Sequence, residues 1–174
     1  MKLFTAALIA TTWFGLATAR ADDDEPLTDT AATKAGERWM TAMLAPGGAV
    51  AAPSKEQPLD YVTSNKTKSC KALKAGAAKD FKAAAKLKTC VVDSYKRATK
   101  DKIPGQWFEL RAADLDGAVA RFPAKNGKAL RAQAKDSTIV TGHYSGDGLN
   151  FDVYLSLDAK NHVHALWLTE EAFE

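Results

Sequence analysis

The sequence is poor in the residues on which redox, metal and nucleophilic chemistry usually rests. It has two cysteines, Cys70 and Cys90, and three histidines, His143, His162 and His164, in 174 residues. The cysteines lack the Cys-x-x-Cys spacing of a dithiol redox motif. The histidines lie far downstream of them, which disfavours a zinc site that uses both residue types. No Gly-x-Ser-x-Gly elbow, phosphate loop or dinucleotide fingerprint occurs, so no cofactor is expected. A large excess of charge of one sign is also missing, with 24 basic against 21 acidic residues. The single apolar run, Leu3–Leu16, is short against the roughly 20 residues of a membrane-spanning helix, so no transmembrane segment is expected downstream of it.

What is present begins with that run. Lys2 precedes it and Ala19-Arg20-Ala21 follows it, the layout of a secretory signal peptide cut after Ala21. Residues 1–21 are therefore expected to be removed and the product to be secreted or periplasmic. Residues 22–29 open as Asp-Asp-Asp-Glu-Pro and read as a disordered acidic leader. Residues 30–174 are long enough for one domain with its own core. In an oxidising compartment, Cys70 and Cys90 are expected to form one structural disulfide.

Along the chain, Ala31–Ala45 carries Ala32, Ala35, Trp39 and Met43 at helical spacing, with Met40 and Leu44 widening the stripe. Such a helix is expected to bury Trp39. Leu59–Thr63 reads as a short strand. Lys66–Lys102 holds eleven lysines and one arginine against three aspartates and is rich in alanine, a strong helix former. Gly76 should divide a short helical piece around Cys70–Leu73 from a longer helix over Ala78–Thr99, whose apolar side takes Phe81, Leu87, Val91 and Tyr95. Gln106–Arg111 reads as a strand and Asp114–Phe122 as one or two helical turns, while Lys128–Asp136 is ambiguous between strand and loop. Three β-rich runs then span Thr138–Leu168, with turns at Ser145–Gly148 and Asp158–Asn161. The middle run alternates Leu149, Phe151, Val153, Leu155 and Leu157 with Asn150, Asp152, Tyr154 and Ser156. That period of two predicts a half-buried antiparallel strand with a solvated polar face. The tail Thr169–Glu174 should be exposed apart from Phe173.

The fold class is thus α+β: an N-terminal amphipathic helix and a Lys/Ala-rich helical segment on a curved antiparallel sheet that ends in a three-stranded meander. The first helix with Trp39 and the closing meander through His162-Val-His-Ala-Leu-Trp-Leu168 resemble the nuclear-transport-factor-two-like, or cystatin-like, α+β class over about half of the chain. The resemblance implies a sheet curled around a helix and, often, a conical pocket. Some members use it for isomerase or dehydratase chemistry and others only for binding. The carboxylate base, tyrosine and acidic oxyanion donor of the isomerases match no residue set here, and the disulfide-bearing Lys-rich stretch departs from the class.

Chemistry has few candidates. His162 and His164, at i and i+2 on one strand, should share a face with Leu166 and Leu168. With His143 as a third ligand they would make a metal site, against the ordinary reading of sheet and turn residues. His143, Asp152 and Tyr154 are the acid–base candidates, with Asp60 and Tyr61 a second cluster. The lysines suit lipid headgroups, nucleic acid or an acidic protein. Aromatic residues for base stacking are sparse among them, so no specific nucleic acid is expected. The reading is a non-catalytic domain that binds a small apolar ligand or an acidic partner, with an isomerase- or dehydratase-like enzyme as the alternative. An unpaired sheet edge leaves pairing with a second copy open.

Overall fold

The computed structural model describes residues 31–45, 53–65, 67–73, 75–99, 110–146 and 149–172. The predicted signal peptide, acidic leader, most of the Gln106–Arg111 strand, the tip of the Ser145–Gly148 turn and Phe173 lie outside these. Helices pack on a six-stranded mixed sheet that does not close. The sheet has the order β2 (Ala75–Ala78), β1 (Leu59–Thr63), β6 (Val163–Ala172), β5 (Leu149–Leu157), β4 (Thr138–Gly146) and β3 (Arg111–Ala112). The meander falls where the alternation places it, and β6 runs past the expected end at Leu168, which buries Thr169 and Glu170. The sheet is not wholly antiparallel: β1 enters beside β6 in parallel, with Asp60 opposite Ala165 and Val62 opposite Trp167.

One face of the sheet is covered by α1 (Ala31–Leu44), the short α2 (Lys68–Lys71) and α3 (Phe81–Thr99). Met40, Met43, Leu87 and Val91 meet Phe151, Val153, Leu155 and Leu166 there. The buried stripe of α1 is Ala32, Thr33, Gly36, Met40 and Met43. It is therefore rotated from the expected one, and Trp39 is left half-buried. Gly36 explains the rotation, because a Cβ there would lie 2.6 Å from Leu110 Cδ1 and 3.1 Å from Val140 Cγ2. Only a bare backbone lets the helix axis come this close to the sheet. Cys70 and Cys90 form the predicted disulfide, Cα atoms 4.8 Å apart, which clamps α2 along α3.

The opposite face overturns the expectation of a solvated side. α4 (Leu115–Ala120), a 3-10 turn at Ala124–Asn126 and α5 (Gly127–Gln133) lie over it. Ala118, Phe122 and Leu130 pack against Ile139, Tyr154 and Trp167. Phe122 meets Tyr154 edge-on with ring centroids 5.9 Å apart. Asp152, Tyr154 and Ser156 are consequently buried, so β5 is a central strand covered on both sides. Lys128–Asp136, ambiguous in sequence, is largely α5.

Two further expectations fail in the Lys-rich stretch. Ala75–Ala78 is a strand paired antiparallel with β1, not the start of a helix. Cross-strand hydrogen bonding to β1 outweighs alanine's helix propensity, a weak preference of under ~1 kcal/mol per residue. The long helix therefore begins at Phe81, with Asp80 Oδ1 accepting from the Ala83 N–H at 2.7 Å. Phe81, assigned to the core by periodicity, is 77% exposed.

Candidate functional site

The acid–base candidates do come together. His143 and Asp152 are directly opposite on β4 and β5, and His143 Nδ1 donates to Asp152 Oδ1 at 2.5 Å. Arg121, just past α4, donates from its guanidinium to Asp152 Oδ2 at 3.3 Å and lies 3.9 Å from Glu171. Arg121 was not foreseen, because nothing in local spacing brings the end of α4 over β5. Burial, and then the charge of Asp152, push the Tyr154 hydroxyl above its ordinary pKa, while Arg121 and Thr141 pull it down. Both Asp152 oxygens are thus taken by cations or donors. The adjoining cleft of about 260 Å³ is walled by Ala120, Thr169, Glu170 and Glu171 together with Arg121 and Asp152. Such a dyad holds His143 in one tautomer, with Nε2 as acceptor while the ring is neutral.

The three histidines are not assembled. His143 sits on Asp152, whereas His164 contacts Ser156, four residues further along β5, roughly 13 Å at ~3.3 Å per residue. Among the described residues no group of three or more His, Cys, Asp or Glu side chains is placed to hold a metal ion. Nor do His164 and Leu166 share a face. The β5–β6 register shifts between Ser156 and Leu157, so that Ser156 pairs with Ala165 and Leu157 with Val163. His164 is the extra residue of this bulge, and a bulge redirects its side chain. His164 Nε2 lies 2.8 Å from Ser137 Oγ and 3.2 Å from Ser156 Oγ. The same hydroxyls lie within donating distance of the carbonyls of Lys135 and Gln133, at 3.1 and 3.2 Å. Nε2 is therefore the ring nitrogen engaged by both hydroxyls. His162 instead sits at the turn, 3.4 Å from Asp158.

A larger cleft, about 640 Å³, opens at the other end of the strands. Its apolar wall is Ala35 and Trp39 of α1, Pro53 and Pro58 of the following loop, Leu59 of β1 and Val163 of β6. Its polar rim holds Glu56, Gln57, Asp60, Asp158, Asn161, His162 and His164. Asp158 is committed to the turn, accepting from the N–H groups of Lys160 and His162 at 2.8 Å each, with Asn161 at φ 61° completing it. Burial pushes the Asp60 carboxyl above its ordinary pKa, against opposing pulls from His164 and Lys79. Asp60 and Tyr61 do not form a cluster: successive strand residues face opposite ways, and Tyr61 lies over Gly76, where a Cβ would come 3.0 Å from its hydroxyl. This cleft escapes sequence reading because three distant segments build it. Trp39, expected from its spacing to be buried, instead stands half-buried on the cleft wall. The chain matches no family model, no curated protein and no solved structure.

Proposed function

We propose that the protein is a non-catalytic binding domain that holds a small, mainly apolar molecule in the cleft beside Trp39. The observation that carries this reading is the cleft itself. Its volume of about 640 Å³ lies within the roughly 300–1,000 Å³ of small-molecule sites, which are mainly apolar with a few fixed polar groups. Trp39, Pro53, Pro58 and Leu59 supply the apolar wall. Asp60 and His164 supply polar groups that orient a ligand. The buried Cys70–Cys90 bridge supports a secreted or periplasmic site of action, since disulfides persist in oxidising compartments. Kinship with the nuclear-transport-factor-two-like class belongs to the same proposal and rests on element order. Native mass spectrometry of the purified protein tests the binding reading. A small molecule carried by the wild type and lost from Trp39→Ala supports it; a bound molecule retained by Trp39→Ala refutes the assignment to this cleft.

The enzyme reading keeps one favouring observation, the burial of Asp152 against His143 and Arg121. The two oxygens of Asp152 are occupied, and this suits a structural ion network better than a base awaiting substrate. Isomerase or dehydratase turnover abolished by Asp152→Asn in a folded protein would reverse that preference.

A further inference from the structure

The cleft beside Trp39 has a charge as well as a shape. The chain carries 24 lysines and arginines, yet among the described residues none of them lines this cleft. Three carboxylates do: Glu56, Asp60 and Asp158. The three are not equivalent. Glu56 stands exposed, and hydrogen bonds within its own loop lower its pKa. Asp158 is engaged in its turn, where Oδ1 accepts two N–H groups and Oδ2 lies 3.4 Å from His162. Asp60 is half-buried, and no hydrogen bond or ion pair holds its carboxylate among the described residues. Burial raises its pKa because water has been withdrawn from it, and only the fields of His164 and Lys79 oppose that rise. Its neighbours in the chain, Pro58 and Leu59, belong to the apolar wall. A molecule held against that wall therefore lies beside a carboxylate that lacks a partner.

We infer that the ligand of this cleft is a small apolar amine, bound as its ammonium ion with the charge beside Asp60. The inference rests on the binding reading above and adds to it the sign of the ligand's charge. The walled cavity makes the site, and the carboxylates select among the molecules that fill it. An ammonium donates to a carboxylate in a charge-assisted hydrogen bond, roughly twice as strong as a neutral one. It also replaces the water that folding removed from Asp60, so the half-buried charge gains the partner it lacks. An anionic ligand meets the opposite field. Three like charges stand along the lining, with no lysine or arginine among its described residues to pair with a carboxylate. His162 faces Asp158, and His164 faces Ser137 and Ser156, so the imidazoles are already engaged.

The test is isothermal titration calorimetry of the purified protein, near neutral pH and at low salt, with three ligands of similar shape. These are naphthylmethylammonium, the neutral naphthylmethanol and the anionic naphthoate. Wild type should bind the ammonium about tenfold more tightly than the alcohol, and the alcohol more tightly than naphthoate. Asp60→Asn should reduce the ammonium preference to about twofold, since exposed carboxylates contribute little, and leave the alcohol's affinity unchanged. Trp39→Ala should weaken all three ligands alike, and added salt should narrow the preference for the ammonium. Asp60 and Trp39 are only half-buried, so circular dichroism of both variants should match that of the wild type. Equal binding of the three ligands, all weakened by Trp39→Ala, would overturn the ammonium inference and leave the cleft reading intact. Tighter binding of naphthoate would overturn the inference too, as would an ammonium preference unchanged in Asp60→Asn. Saturable binding of none of the three would refute the cleft reading and this inference with it.

Discussion

Removing the Cys70–Cys90 bridge gives the sharpest stability prediction. The bridge closes a loop of 20 residues. Loop-closure entropy alone gives about 3 kcal/mol at this length. Both sulfurs are buried, so Cys70→Ala with Cys90→Ala also sacrifices apolar contact, and the total loss should be about 3–5 kcal/mol. The loss should be uneven. α2 has four residues, too few to outweigh helix nucleation, so without the clamp it should open before α3 does. Urea unfolding measures the total, and hydrogen exchange at Lys68–Lys71 measures the local part. For a chain of this size, about 3 kcal/mol corresponds to roughly 6–12 °C in Tm. A loss below about 1 kcal/mol, with unchanged exchange in α2, would refute the view that the bridge holds α2 in place.

Other perturbations follow from packing and charge. Gly36→Val should destabilise by about 2–3 kcal/mol in urea unfolding, because its branches meet Leu110, Val140 and Leu155; an unchanged midpoint would contradict the close approach of α1. Asp152→Ala should cost about 2–3 kcal/mol by the same measurement, since it frees Arg121 and His143 from a buried carboxylate. Asp60, whose folded pKa is raised, binds its proton more tightly folded than unfolded. Its ionisation therefore opposes folding as pH climbs above 3.8. Asp60→Asn should accordingly raise stability near neutral pH and change nothing well below 3.8. Asp158 has the opposite sign: the His162 and Lys160 N–H groups depress its pKa. Its contribution is present above 3.8 and lost as pH falls through the depressed value, so Asp158→Ala should weaken the fold near neutral pH and not in strong acid.

The parts of the fold legible in sequence were those fixed by local periodicity. Ala31–Leu44 and the three meander strands emerged from the spacing of their own apolar residues, and the Asp158–Asn161 turn from its own side chains. What escaped depends on partners far along the chain. The polar face of β5 looked solvated because Phe122 and Leu130, which cover it, belong to short helices with weak patterns. Ala75–Ala78 became a strand through β1, against its own propensity. One extra residue in β6 sent His164 to Ser137 and Ser156, which an i, i+2 rule cannot foresee. Phe81 was given to the core since periodicity registers a helix's spacing and not where its first turn leaves the sheet. The triad of His143, Asp152 and Tyr154 was legible because adjacent antiparallel strands place them side by side; Arg121 and the cleft beside Trp39 were not.

Occupancy of that cleft is the claim on which the functional account turns. The most direct measurement is a titration with the neutral fluorescent probe phenylnaphthylamine, comparing wild type with Ala35→Trp, which fills the cleft from the half-buried lining position on α1. The account predicts saturable binding to the wild type, weakened at least about tenfold, or ~1.4 kcal/mol, in a folded Ala35→Trp protein. Binding of equal strength in both proteins, or no saturable binding to the wild type by this or any other small apolar probe, would contradict it.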